Sequence, residues 1–170
     1  MASQPGSVSD EKRKVLIPID DSEYSQYALE WYADNVHMKN DRVLLVHCPE
    51  YHHVIHSKSV PTDGSATSMM KEEEQKLKAL FDKFQSLLEK HGIHEHADVK
   101  SVHGKPGEAI VKVCRDEGAS MIITGCRGMG TLRRTLVGST SDYVAHHSPV
   151  PVIVCRHKEH HERHLHGKSH

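Results

Sequence analysis

The stretch TGCRGMGTLRRTLVGSTSDY, residues 124–143, gathers the residue types that hold an anion: four glycines, three arginines and a cluster of hydroxyls. Gly125 and Gly128 can adopt backbone angles closed to other residues and let a ligand approach the main chain. Gly138-Ser139-Thr140 precedes a helical pattern. The N–H groups of a helix start carry partial positive charge and form an anion site. The hydroxyls of Ser139 and Thr140 add donors, and Arg127, Arg133 and Arg134 add charge. The nine residues between Gly128 and Gly138 are enough to arch over a ligand and bring both glycine groups to it. Phosphate is the chemistry this pattern suits. Better-known glycine motifs fit poorly. The segment does not end in Gly-Lys-Ser/Thr, and Gly104-Lys105 is followed by Pro106, so it is not a P-loop. It also lacks the third glycine of the dinucleotide fingerprint, which belongs after a first strand rather than a fourth.

The elements that must position these residues are readable from hydropathy. Val15 to Asp20, Val43 to Cys48, Ser120 to Thr124 and Val150 to Cys155 are short apolar runs of the kind buried on both faces of a parallel sheet. A weaker strand is expected over Ala97 to His103. Between them lie helical patterns. One is capped by Asp21-Ser22 and carries Tyr24, Tyr27, Ala28, Trp31 and Tyr32; another carries Leu77, Leu80, Phe81, Phe84, Leu87 and Leu88 and ends at His91-Gly92. A third opens at Pro106 and closes at Gly118, and a short one runs from Ser139 to His147. Strand and helix in alternation imply an α/β fold, a three-layer open parallel five-stranded sheet of Rossmann-like type. Ligands of such sheets bind beyond the carboxyl ends of the strands. Asp20, Cys48 and the glycine segment all lie there.

Gly125-x-x-Gly128, nine residues, then Gly138-Ser139 resembles the ATP-binding motif of the universal stress protein family. Residues 17–22 (IPIDDS), 45–47 (LVH) and 148–154 (SPVPVIV) resemble the family's first strand and turn, second strand end and closing strand. The resemblance implies sheet order 3-2-1-4-5, an adenine nucleotide alpha hydrolase-like fold, and dimers joined through the last strand, residues 150–155. It also implies ATP as ligand, with Mg2+. By it, Pro18, Asp20 and Cys48 match positions near adenine and ribose. Thr124, Gly125 and Gly128 match the phosphate loop, with Arg127 at a variable, often basic position. Gly138, Ser139 and Thr140 match the helix start that holds the phosphates. Asp142 stands where the family more often has Asn; on a helix it is expected to point away from the phosphates. No catalytic set is evident, so the implied role is a nucleotide-sensing stress-response regulator with slow hydrolysis at most. The alternative is a protein-interaction module of the same fold without nucleotide. Gly125→Val is expected to abolish binding while leaving the fold intact.

The rest of the sequence narrows the class. The chain has 170 residues and a formal net charge of -1, which argues against a nucleic-acid partner held by general basicity. No apolar run reaches the length of a membrane span and no apolar leader segment opens the chain, so the expected location is the cytoplasm. Residues 1–13 read as a flexible polar leader, 14–156 as the domain, and 157–170 as a flexible histidine-rich tail. His157, His160, His161 and His164 would share helical faces and are the metal candidates there. His52, His53 and His56 lie in the long polar segment Pro49 to Ser68 and could sense pH. Cys48, Cys114 and Cys155 sit in or beside apolar runs and read as buried thiols. Cys126, inside the motif beside Arg127, is the redox candidate.

Overall fold

The first strand, Lys14–Ile19 (β1), is apolar on both sides and serves as the middle of the sheet. The computed structural model describes residues 12–49, 65–127 and 137–156. After β1 come α1 (Glu23–Asn35), β2 (Arg42–His47), α2 (Ser65–Lys90), a short 3-10 turn (His94–His96), β3 (Ala97–Ser101), α3 (Pro106–Asp116), β4 (Met121–Gly125), α4 (Ser139–His147) and β5 (Val152–Cys155). The strands pair in parallel in the order β3-β2-β1-β4-β5. This is the expected α/β class and order.

Alternation along the strands builds two cores. Val15, Ile17, Ile19, Val43 and Leu45 face α1 and α2, where they meet Leu29, Tyr32, Phe84 and Leu88. Leu16, Leu44, Val46 and Ile122 face α3 and α4, where they meet Ile110, Val113 and Val144. Each fully buried side chain of this size contributes about 2 kcal/mol. Because both faces are covered, the strands read as continuous apolar runs. Gly92 and Gly118 end α2 and α3 with positive φ (69° and 61°), a conformation that favours glycine.

Several boundaries differ from the sequence reading. The last strand begins at Val152, not Val150: Pro151 has no N–H to give the ladder, and Ser148 closes a turn onto Val150. α2 begins at Ser65, inside the segment expected to be loop. Arg13, assigned to the leader from sequence, is held by Asp41. His52, His53, His56, Gly128, Arg133, Arg134 and the tail histidines His157, His160, His161 and His164 lie outside the described residues.

Candidate functional site

The crevice between β1 and β4 is prepared by a proline. Arg42 N–H donates to the Arg13 carbonyl, so the odd residues of β1 face β2 and the even ones, Pro18 among them, face β4. Pro18 has no N–H to give. The β1–β2 register runs the whole strand to Ile19↔His47, whereas β1–β4 pairing holds only Val15↔Met121 and Leu16↔Ile122. Beyond Leu16 the two strands are free to part. This is also where the strand order reverses, the place at which open α/β sheets bind ligands.

On one side of the crevice Asp20 follows β1. Its carboxylate Oδ1 accepts from Ser22 N–H (3.0 Å) and from the Ser22 hydroxyl (2.5 Å). Ser22 in turn caps α1 by accepting from Ser25 N–H, and Ser25 Oγ donates to the Asp20 carbonyl (2.8 Å). The acid is therefore fixed in direction. His47, at the end of β2, donates from Nδ1 to the Ile19 carbonyl (3.0 Å), which sets its tautomer with Nε2 as the acceptor. Cys48 follows at the rim, partly exposed, with its thiol donating to the Gly104 carbonyl.

On the other side the glycine segment closes on itself. Gly138 N–H donates to the Cys126 carbonyl (2.6 Å), and the Ser141 hydroxyl donates to the Gly125 carbonyl (2.7 Å). The two ends of the segment, separated in sequence, thus meet at the carboxyl end of β4. Gly138 caps α4 without a side-chain hydrogen bond, so the first-turn N–H groups at Ser139 and Thr140 have no cap from within the helix. Thr124 is buried at the end of β4, and its hydroxyl donates to Gly125 O (3.2 Å). Arg127 follows Cys126 and is partly exposed. Asp142 is 63 % exposed on α4 beside His146 (3.7 Å).

Three expectations change. Gly125 does not have positive φ; it is needed for space, because a Cβ there would lie 2.6 Å from the Tyr24 carbonyl oxygen of α1. A Gly125→Val change therefore disturbs the seating of α1, and the fold cannot be assumed intact. Cys126, the redox candidate, is only 6 % exposed, and its N–H and carbonyl tie it to Cys155 and Gly138. Burial and the neighbouring Cys126 push the Cys155 thiol up to about 12. Cys48, expected to be buried, is the partly exposed one. Ser22 is the helix cap expected from sequence, but its hold on Asp20 and the roles of Ser25 and Ser141 were not singled out. The signal was a hydroxyl two positions after Asp20 and another two after Ser139, at turns where the helix comes back to the sheet.

The comparisons with known proteins agree with this architecture. The universal stress protein MJ0577 of Methanocaldococcus jannaschii is 30% identical over 157 residues, covering 86% of this chain and 96% of that protein. The solved structure of MJ0577 superposes with a TM-score of 0.68 at 28% identity, over 86% of this chain and 96% of that one. The universal stress protein UspA of Lactobacillus plantarum shares the fold with TM-score 0.67 and 18% identity, over 85% and 97% of the two chains. An Arabidopsis thaliana member solved with AMP bound shares it with TM-score 0.64 and 16% identity, over 88% and 94%. The sequence profile of the universal stress protein family matches residues 12–156, and the chain belongs to that family.

Proposed function

We propose that this universal stress protein binds ATP in the crevice between β1 and β4 and acts as a nucleotide-sensing regulator. The observation that carries the reading is the closure of the glycine segment: Gly138 N–H on the Cys126 carbonyl at 2.6 Å sets an uncapped helix start beside the end of β4. Pro18, Asp20 and Cys48 would hold the adenosine side. Asp20, fixed by Ser22, presents its second carboxylate oxygen as an acceptor for ribose hydroxyls. Thr124, Gly125, Arg127 and Gly128 would form the phosphate loop, and Gly138, Ser139 and Thr140 the phosphate-holding helix start. The AMP in the Arabidopsis relative supports the capacity of this fold for an adenine nucleotide. Mg2+ would arrive with the phosphates; among the described residues no cluster of three or more His, Cys, Asp or Glu is built to hold a metal by itself. Homodimers through β5 and a cytoplasmic location complete the reading; four cysteines with no disulfide among them suit a reducing compartment.

Isothermal titration with ATP tests the reading. Ser139→Ala and Thr140→Ala, changes at the surface of α4, are expected to weaken binding about tenfold each, the size of a lost hydrogen bond to a charged group. A wild-type protein that gives no ATP-dependent heat would overturn it and favour an interaction module without nucleotide. Steady-state phosphate release with magnesium would separate a sensor from a phosphohydrolase. Mass spectrometry of whatever small molecule co-purifies would identify the ligand directly.

A further inference from the structure

β3 forms the edge of the sheet opposite β5, and four of its five residues are exposed. Val102 N–H donates to the His47 carbonyl (2.8 Å), which fixes the ladder: Asp98, Lys100 and Val102 turn their backbone groups toward β2. The N–H and C=O of Val99 and Ser101 are therefore directed outward, away from the sheet. Val99 is 38 % exposed, among the few large apolar side chains so placed in the described residues. It is flanked by an acid on one side and a base on the other, in the order Asp98-Val99-Lys100.

That order is self-complementary. We propose that the outer edge of β3 pairs antiparallel with the same edge of a second copy of this chain, about a two-fold axis at Val99. In this register Val99 exchanges backbone hydrogen bonds with Val99 of the other copy, and Ser101 N–H donates to the other copy's Ala97 carbonyl. Asp98 of each copy lies directly across from Lys100 of the other, on one face of the joined sheet. The two Val99 side chains meet on the opposite face. Cross-strand pairs of opposite charge stabilise a sheet and like charges directly opposite destabilise it. A slip of two residues in one direction sets Asp98 against Asp98, and in the other Lys100 against Lys100. The charges that keep an exposed edge from indiscriminate pairing thus select one register with one partner, itself. Asp98 now meets Arg42 (3.4 Å) and Lys100 meets Glu117, but these pairs are solvent-exposed, and exposed pairs hold their members only weakly. A cavity of about 290 Å³ between the end of β3 and α3, lined by Ser101, Val102, His103, Ala109 and Val113, continues the edge. In this register the residues preceding β3 of the second copy come over it.

Nothing in this surface depends on nucleotide or on β5, so it is tested in a Val154→Pro background. Ile122 N–H donates to the Pro151 carbonyl, which places the Val154 N–H on the outer side of β5, where proline blocks strand addition without touching the β4 ladder. Sedimentation velocity at low salt is expected to show a reversible dimer. Asp98→Lys alone and Lys100→Asp alone should each weaken it about tenfold or more, since two attractive cross-strand pairs become repulsive. The double exchange Asp98→Lys/Lys100→Asp should restore it. Mixing the two single variants should also restore it as a heterodimer, because each then supplies the charge the other lacks. Should Val154→Pro fail to fold, the same charge series is read in the wild-type background as the step above the β5 dimer. A monomer in the Val154→Pro background, equal association in all four charge forms, or a double variant no better than the singles would overturn the proposal and leave this edge to a different partner or to none.

Discussion

Gly125 shows how the fold can supply a reason for a glycine that its neighbours in sequence do not. Its spacing to Gly128 and Gly138 suggests freedom of backbone angle for the sake of a ligand, but the constraint comes from α1, about 100 positions earlier in the chain. No local pattern encodes that contact. Gly125→Ala is expected to lower stability by about 1–3 kcal/mol through overpacking, seen as a lower midpoint in thermal unfolding without ligand. An unchanged midpoint would mean that α1 retreats at little cost. The cysteines follow the same logic. Cys48 should react with a thiol reagent in the native state, while Cys114, Cys126 and Cys155 should react in bulk only after denaturant. Burial pushes Cys114 and Cys155 up and so holds them as thiols. Peptide mapping of the labelled site decides it, and fast native labelling at Cys126 would restore the motif thiol as a redox candidate.

At the scale of elements, the four apolar strands were legible because burial on both faces leaves an uninterrupted apolar run. β3 gave a weak signal because it is short, polar and at the edge, and the 3-10 turn before it has no hydrophobic period at all. The anchor at the opposite end of the sheet was not legible. Asp41, 1 % exposed, stands between a turn and β2 in sequence, where an acid passes for solvated. In the fold it accepts from Arg13 (2.8 and 2.5 Å), from the Tyr32 hydroxyl (2.9 Å) and from Met38 N–H (3.0 Å). Burial works against its charge, but the hydrogen bonds from Arg13, Met38 and Tyr32 outweigh it and hold the carboxyl below its ordinary value. The network joins the start of β1, the end of α1 and the start of β2. Arg13→Ala, which leaves the buried carboxylate without its cation, should cost about 3 kcal/mol. Because the folded carboxyl is the more acidic, its contribution is complete above the unfolded value of about 4 and is lost as the pH falls through the folded one. The unfolding midpoint of wild type should therefore drop more steeply below about pH 4 than that of Asp41→Asn, measured as a pH series of thermal melts. Parallel curves would place the acid sensitivity elsewhere.

For the whole molecule, the two edges of the sheet are chemically unlike: VIVC at β5 is apolar, while ADVKS at β3 carries charge. An apolar edge left bare is an aggregation hazard, which favours β5 as the permanent contact and β3 as one that salt can weaken. Two two-fold contacts at opposite edges of one sheet do not close by themselves, so a protein using both grows stepwise with concentration. The proposed nucleotide site lies at the carboxyl ends of β1 and β4, away from both edges, and ligation is expected to add stability at any level of association. At a free ATP concentration of about 100 times the dissociation constant, linkage supplies about 2.7 kcal/mol. For a domain of this length that raises the unfolding midpoint by about 5–10 °C. The same concentration of GTP, with magnesium matched, should give a smaller shift if the crevice recognises adenine. Ser139→Ala should reduce the ATP shift without lowering the midpoint of the free protein, because Ser139 is exposed and contributes no core contact. A midpoint that moves equally with ATP, GTP and pyrophosphate would reduce the site to a general phosphate cradle at the start of α4, and one that moves with none of them would remove nucleotide from the function altogether.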